Sequence, residues 1–244
     1  MARQILLFND FGVTGPYLGQ MLSVLYEFGQ DLRVIPLQVD APFGDPRRSA
    51  YLLAALVRQG PADAVWSCVV DPGVGGARRP LMIRAADRWL VGPDNGLLAL
   101  AARAVNGLSA WHVDWRPASL SDSFHGRDLF APVAASLAMG RTVEASPVEL
   151  EGLVGSGWPD DLPEVIYIDG FGNCMTGIRG GQWDRGRSLH LAGRDIPTAR
   201  TFCEVPAGTP FWYVNSLGLV EIAVNLGRAD QCLGLAIGDA VMPG

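Results

Sequence analysis

Three short apolar runs at even intervals, residues 4–8, 33–39 and 64–70, restrict what this chain can become more than any other feature. The third is apolar almost throughout, and such a run is stable only where both its faces are covered. Between the first two lies a helical segment that starts at Pro16, a residue suited to a first turn, and runs to about Phe28. Between the second and third, Asp45 and Pro46 open another helix that continues through residues 50–58. Strand, helix, strand, helix, strand predicts an α/β domain: a mostly parallel central sheet with flanking helices. Residues 81–85 and 88–91 then read as a strand pair, 97–105 as a helix and 111–114 as one more strand.

Around residues 155–163 the chain turns to Gly, Ser, Pro and Asp, and the rhythm changes beyond it. Short strand-like runs follow at 164–168, 188–191, 197–202, 211–214, 220–224 and 231–236, separated by Gly, Pro and Asn. This spacing predicts a small antiparallel β-barrel or sandwich. Two domains are therefore expected, an α/β domain over residues 1–155 and a β-barrel domain over residues 163–244.

A net charge of -6 without a block of Lys or Arg argues against nucleic acid or an anionic membrane as partner, which leaves a small molecule. Cys68, Cys174, Cys203 and Cys232 are scattered and form no Cys-x-x-Cys pair, so they read as buried thiols in a reducing compartment. With neither a signal-peptide pattern nor an apolar stretch long enough to span a bilayer, a soluble cytoplasmic protein is expected.

The candidate site begins at residues 123–132, where His125, Arg127 and Asp128 stand between aromatic residues. Asp128 is positioned to cap a helix over residues 129–139 that Gly140 stops. His125 would then lie just outside a helix N-terminus, whose positive end disfavours imidazolium and keeps the ring neutral and able to take a proton. Arg127 and Asp128 are expected to brace the helix start. Asp10 follows the first strand, at the edge where open α/β sheets bind ligands; it can accept ribose hydroxyls or cap the next turn.

The loop over residues 71–79 is rich in glycine but has neither the Lys-Ser/Thr of a P-loop nor the dinucleotide spacing, which discounts nucleoside triphosphates and NAD. Its plain alternative is a tight turn with solvated arginines. Asp94 or Asn95 suits a helix cap, and His112 suits packing or surface. In the second half, Asp169, Phe171 and Asn173 form one polar group, and Asn215, Ser216, Glu221 and Asn225 another. They can grip a planar polar ligand, or simply shape turns.

Six motifs in order, Asn9-Asp10-Phe11-Gly12, Asp71-Pro72-Gly73-Val74-Gly75 with Arg78, Pro93-Asp94-Asn95-Gly96, Phe124-His125-Gly126-Arg127-Asp128, Asp169 with Phe171-Gly172-Asn173, and Asn215-Ser216 leading to Glu221-Ile222-Ala223, resemble the S-adenosylmethionine-dependent halogenase and hydroxide adenosyltransferase family. The resemblance spans nearly the whole chain. It implies an α/β domain followed by a β-barrel, assembled as a homotrimer, with S-adenosyl-L-methionine (SAM) held between one subunit's first domain and the next subunit's barrel. It further implies that Asp10 binds the ribose hydroxyls, that Phe171, Asn173, Phe202 and Asn225 surround the adenine, and that Asp169 and Ser216 hold the methionine amino and carboxylate groups. No metal and no cofactor beyond SAM, the substrate itself, is implied.

Within that family, members that use hydroxide carry an Asp, an Arg seven residues later and the His of the Phe-His-Gly-Arg-Asp motif; here these are Asp71, Arg78 and His125. Halide-using members resemble one another in having an aromatic hydroxyl at the Asp position and lacking the His. The chain thus resembles the branch that converts SAM and water to adenosine and L-methionine. The chemistry agrees, because a sulfonium expels its neutral thioether easily while water must be oriented and deprotonated: His125 can accept the proton, Asp71 can fix its tautomer and stabilise the imidazolium, and Arg78 can favour developing hydroxide. Two alternatives stay open: a chloride adenosyltransferase, for which small Gly126 leaves room, and a non-catalytic adenosine- or SAM-binding module in which the three groups only brace two loops. The chain departs from its relatives on the substrate side at Gly15, at Gln38, Val39 and Asp40, at Gly177, and at Leu217, where the fluorinase has an arginine.

Overall fold

The apolar runs of the first half become the middle of one sheet. A computed structural model describes residues 3–105, 108–183, 188–191 and 193–243, in two compact units, Met1–Trp158 and Pro159–Gly244. In the first, β1 (Ile5–Asn9) and β3 (Val65–Val69) are buried at every position, as their uninterrupted hydrophobicity requires. Helix α1 (Tyr17–Phe28) joins β1 to β2 (Val34–Gln38), and α2 (Pro46–Gln59) joins β2 to β3. Helix α2 starts where expected: Pro46 occupies the first turn and the Asp45 carboxylate accepts the Arg48 N–H at 3.0 Å.

Beyond β3 come β4 (Pro80–Ala85), β5 (Arg88–Pro93), α3 (Ala99–Arg103), β6 (Leu108–Val113), α4 (Ala131–Ala138) and β7 (Ala145–Val148). The sheet order is β2-β1-β3-β5-β4-β6-β7. Pairings β1–β2, β1–β3 and β3–β5 are parallel, whereas β4–β5, β4–β6 and β6–β7 are antiparallel. The sheet is therefore evenly mixed and not mostly parallel. The cause is the β4–β5 hairpin, whose tight connection reverses the chain and hands an antiparallel edge to β6. Met21 and Leu25 of α1 and Val133, Ala134 and Leu137 of α4 pack with β1 and β3 in one apolar cluster.

The second unit holds β8 (Leu162–Ile168), β9 (Cys174–Arg179), β10 (Leu189–Leu191), β11 (Arg194–Ile196), β12 (Pro210–Val214), β13 (Leu219–Val224), α5 (Ala229–Leu233) and β14 (Met242–Pro243). They form two antiparallel sheets, β12-β13-β9-β8 and β11-β10-β14, around Trp212, Val220, Ile222 and Leu189. Two expected strands differ. The first half of the run at 231–236 belongs to α5, because Ala229 and Leu233 are buried one helical turn apart, and Gly234, at φ 65°, ends the helix. The run at 197–202 pairs with Trp212 through Pro197 and Ala199, then turns into a short 3-10 segment at Phe202–Glu204.

No helix among the described residues is long and apolar enough to cross a membrane. All four cysteines are free, but only Cys68 and Cys174 are buried; Cys203 and Cys232 are exposed, on the 3-10 segment and on α5, where neighbouring apolar residues do not imply an inward side chain.

Candidate active site

In the first unit the parallel register sets Asn9 opposite Val69, so the residues that leave β1 and β3, Asp10 and Asp71, emerge at the same sheet edge. His125 reaches that edge from another direction. It precedes a single π-turn, Gly126–Phe130, closed by the Ala131 N–H on the Gly126 carbonyl and continued directly by α4. Asp10, Asp71 and His125 line one cleft of about 250 Å³, walled by Phe11, Phe43 and Phe124.

Asp128 is not the helix cap. The turn begins upstream of it, and its carboxylate instead accepts the Ser121 N–H at 3.0 Å and the Arg127 Nε at 2.6 Å. Arg127 also donates to the Gln20 side chain at 2.7 Å and lies over the Phe124 ring, so both residues brace the segment that carries His125. Asp94 likewise caps no helix: Arg79 donates to it at 2.9 Å and the Val154 N–H at 3.0 Å, while Asn95 accepts from the Leu97 N–H. His112 pairs with Asp114 at 3.0 Å and takes no part in the cleft.

Arg78 joins the two acidic and basic partners. Its Nε and Nη2 both donate to Asp71 Oδ2, at 2.8 and 2.5 Å, and Nη2 also meets Nδ1 of His125 at 2.8 Å. The guanidinium stacks 5.4 Å from the centre of the Phe130 ring, which limits its motion. The contact to His125 comes from Arg78 and not from Asp71, so the expectation that Asp71 fixes the imidazole tautomer does not match the geometry. A guanidinium has no acceptor, hence Nδ1 accepts and the neutral ring carries its proton on Nε2. Burial, and after it the charge of Arg78, holds the His125 pKa below the usual imidazole value. Asp71 Oδ1, in contrast, is buried with no hydrogen-bond partner.

The loop can bring Arg78 this close only because Gly75 sits at φ 78° against the Asp122 carbonyl, where a Cβ would collide. Asp10 accepts the Gly44 N–H at 2.9 Å, and burial raises its pKa, with the charge of Asp71 adding to the rise. Gly126 lines this cleft as well, and a Cβ there would meet the Phe11 ring at 2.9 Å and the Phe124 ring at 3.3 Å, so a larger residue would crowd these walls.

The second unit has a cleft of its own, of about 750 Å³, lined by all six remaining expected residues: Asp169, Phe171, Asn173, Phe202, Ser216 and Asn225. Asp169 Oδ1 accepts the N–H groups of Phe171 and Asn173, both at 2.9 Å, and Oδ2 accepts the Asn173 amide at 3.0 Å. That turn leaves Phe171 80% exposed on the cleft wall, where its ring is open to stack on a planar ligand. Phe202 stands edge-on to Phe211 and Tyr213 at 5.1 and 5.5 Å, and Asn225 donates to the Val205 carbonyl at 2.7 Å.

Beneath them lies a network that the sequence reading only half anticipated. Glu221, 2% exposed, accepts from the Tyr213 hydroxyl and from Asn215 Nδ2, while Asn215 Oδ1 accepts the N–H groups of Leu217 and Leu219. Burial raises the Glu221 pKa and that of Tyr213. Tyr213 went unremarked as a residue, although it lies directly opposite Glu221 in the β12–β13 register and so shares its face. Phe11, Phe43 and Phe124 were also missed as cleft walls; the signal available was a Phe beside each of Asp10 and His125. Among the described residues, no group of three or more His, Cys, Asp or Glu gathers as metal ligands.

Comparison with known proteins finds matches in both units. Residues 5–146 match the model of the SAM hydroxide adenosyltransferase N-terminal domain, and residues 163–242 that of the C-terminal domain. Proteins named (R)-S-adenosyl-L-methionine hydrolase are similar over nearly their full length: one from Salinispora arenicola is 42% identical over 95% of this chain and 94% of its own, and one from Thermus thermophilus is 38% identical over 97% of each. Among solved structures, an uncharacterized conserved protein from Thermotoga maritima aligns with a TM-score of 0.87 at 27% identity, covering 98% of this chain and 100% of that one. The chain belongs to the SAM hydroxide adenosyltransferase family.

Proposed function

We propose that this protein hydrolyses S-adenosyl-L-methionine to adenosine and L-methionine by attack of water at the ribose C5′, and that it takes the (R) form for which its curated relatives are named. The observation that carries the reading is the contact chain Asp71–Arg78–His125 at the edge of a cleft, in a member of this family. Displacement at C5′ expels a neutral thioether, so the barrier lies in making an oxygen nucleophile. With Nδ1 occupied by Arg78, the Nε2–H of His125 is a donor that orients the water, and the Asp71 carboxylate, which lines the same cleft and is tied to the ring through Arg78, is the acceptor toward which its proton moves. The Arg78 charge, shared between both, favours developing hydroxide. A positioned proton acceptor supplies roughly 10²–10⁴-fold; alignment of water, C5′ and sulfur must supply much of the rest.

In the same reading Asp10 holds the ribose hydroxyls, Phe171, Asn173, Phe202 and Asn225 surround the adenine, and Asp169 and Ser216 hold the amino-acid end. The catalytic domain is residues 1–155 and the second domain, residues 163–244, closes as a β-barrel. Three copies assemble so that each site is completed by a neighbour, and the reaction takes place in the cytoplasm, a compartment suited to four free cysteines. The hydrolase relatives favour water over chloride as the nucleophile.

Incubation with SAM in ¹⁸O-water tests the reading: the label is expected on the 5′-oxygen of adenosine. Unlabelled adenosine, or 5′-chloro-5′-deoxyadenosine in chloride buffer, refutes hydrolysis at C5′. His125→Ala is expected to abolish turnover while adenosine still binds; retained turnover would return the three groups to a bracing role.

A further inference from the structure

The geometry points to a separate ligand site, at the far end of the first unit's sheet from the cleft of His125, that takes a nucleoside monophosphate by its base and its phosphate. A cavity of about 450 Å³ lies there, a size within the range of small-molecule sites. Arg3, in its lining, precedes the start of β1, whereas Asp10, in the other cleft, follows the end of that strand. The length of β1, about 17 Å, therefore stands between the two. Trp89, also in the lining, sits beside Val65 at the start of β3 and so marks the same end of the sheet.

Strand register builds the apolar side. Trp89 of β5 stands directly opposite Arg84 of β4, and Trp111 of β6 directly opposite Met82, two residues back on the same face. The two indoles are half-buried, with ring centres 5.6 Å apart and a tilt of 43°. Helix α4 ends at Ala138, and the rings border the cavity beside its last turn.

The polar side brings three guanidinium groups from distant parts of the chain, Arg3, Arg84 and Arg141. Arg3 donates to the Asp87 carbonyl at 3.0 Å and Arg84 to the Ala86 carbonyl at 3.3 Å, and Arg84 also lies 6.0 Å from the centre of the Trp89 ring. Among the described residues none of the three enters an ion pair, and no Asp or Glu lines the cavity. By contrast Arg48, Arg78, Arg79, Arg127, Arg179 and Arg228 are each paired with an aspartate. In a chain of net charge -6, three uncompensated cations that converge on one concave surface form an anion site.

The aromatic wall then selects the kind of anion. A guanidinium matches a phosphate bidentately, and an indole face stacks on any base. Inorganic phosphate would leave the indoles uncovered, and a neutral nucleoside would leave the guanidinium groups uncompensated. A nucleoside monophosphate engages both sides. This site stands apart from the hydrolase reading, because none of its residues lines the cleft of Asp10, Asp71 and His125.

Calorimetric titration of the intact protein with guanosine 5′-monophosphate tests the site, with adenosine in excess to occupy the candidate active site. A Kd below about 1 mM, with guanosine and inorganic phosphate each bound at least about tenfold more weakly, supports the inference. A higher Kd overturns it, and so does either fragment binding within that factor of the nucleotide, since one side of the cavity would then go unread. Arg84→Gln and Arg141→Gln change two exposed residues and are each expected to weaken the nucleotide by about tenfold, the size of one charge-assisted hydrogen bond, at unchanged Tm. Full affinity in both variants overturns the inference, because the calorimetric signal would then come from another surface.

Discussion

Arg78 Nη2 lies 2.8 Å from His125 Nδ1, and this one contact gives the two ring nitrogens opposite roles. Nδ1 is an acceptor because its neighbour can only donate, so Nε2 bears the hydrogen. Protonating the ring would place two donors face to face. The imidazole is thus held in one tautomer by a cation, an arrangement that differs from the carboxylate-oriented histidine the sequence suggests.

The ring should therefore resist protonation. Burial first and the Arg78 charge second depress its pKa, so its NMR titration midpoint is expected below the ordinary value of about 6.5. The neutral ring and its Arg78 contact are fully present above the ordinary value and are lost as pH falls through the lower folded value. Over that interval the unfolded chain binds the proton first, so acid also lowers stability. Arg78→Gln, which removes the charge, should move the midpoint upward; a downward move would contradict the assigned cause.

Phe171→Ala should weaken binding without disturbing the fold. The ring is 80% exposed, so its loss costs little stability, within about 0.5 kcal/mol. An aromatic stacking partner is worth about 1 kcal/mol, which predicts a KM rise of roughly fivefold at constant kcat. A fall in kcat alone would place the ring nearer the chemistry than the adenine.

Tyr213→Phe tests the network under the second cleft. It strips one donor from buried Glu221, at an expected cost of about 1–3 kcal/mol in urea unfolding. Because that donor favours the ionised carboxylate, the Glu221 pKa, already raised by burial, should rise further. Unchanged stability would mean that Glu221 is neutral in the folded protein.

Gly96→Ala should destabilise the first unit independently of either cleft. The residue adopts φ 97° and faces the Trp158 ring, which a Cβ would strike. Left-handed strain and overpacking together are expected to cost about 2 kcal/mol or more, visible as a lowered Tm.

The parts of the site that depend on chain direction were legible in the sequence. Asp10 and Asp71 each follow an apolar run, and a parallel register carries such residues to one edge, so their meeting follows from pattern alone. The meeting of Arg78 with His125 does not, since it depends on how two loops pass at Gly75 and Asp122. Strands that carry no alternation were invisible: β7 contains Pro147 at a sheet edge, and β9 is held by the Thr176 hydroxyl on the Val220 carbonyl and by Gly177 packed against Leu162. Asp128 had the residue type of a cap and the wrong position, because a π-turn starts the helix earlier than an α-helical count allows.

That π-turn makes the reactive geometry a matter of counting residues. The bond from Ala131 to the Gly126 carbonyl encloses one residue more than an α-helical turn would. Deleting a single residue between positions 126 and 130 would let α4 continue backward in regular register, and each residue of register rotates a side chain about 100° around the helix axis. His125 would swing away from Arg78 with every side chain of the trio chemically intact. A lineage could therefore gain or lose this histidine contact through one codon inserted or removed, without exchanging Asp71, Arg78 or His125.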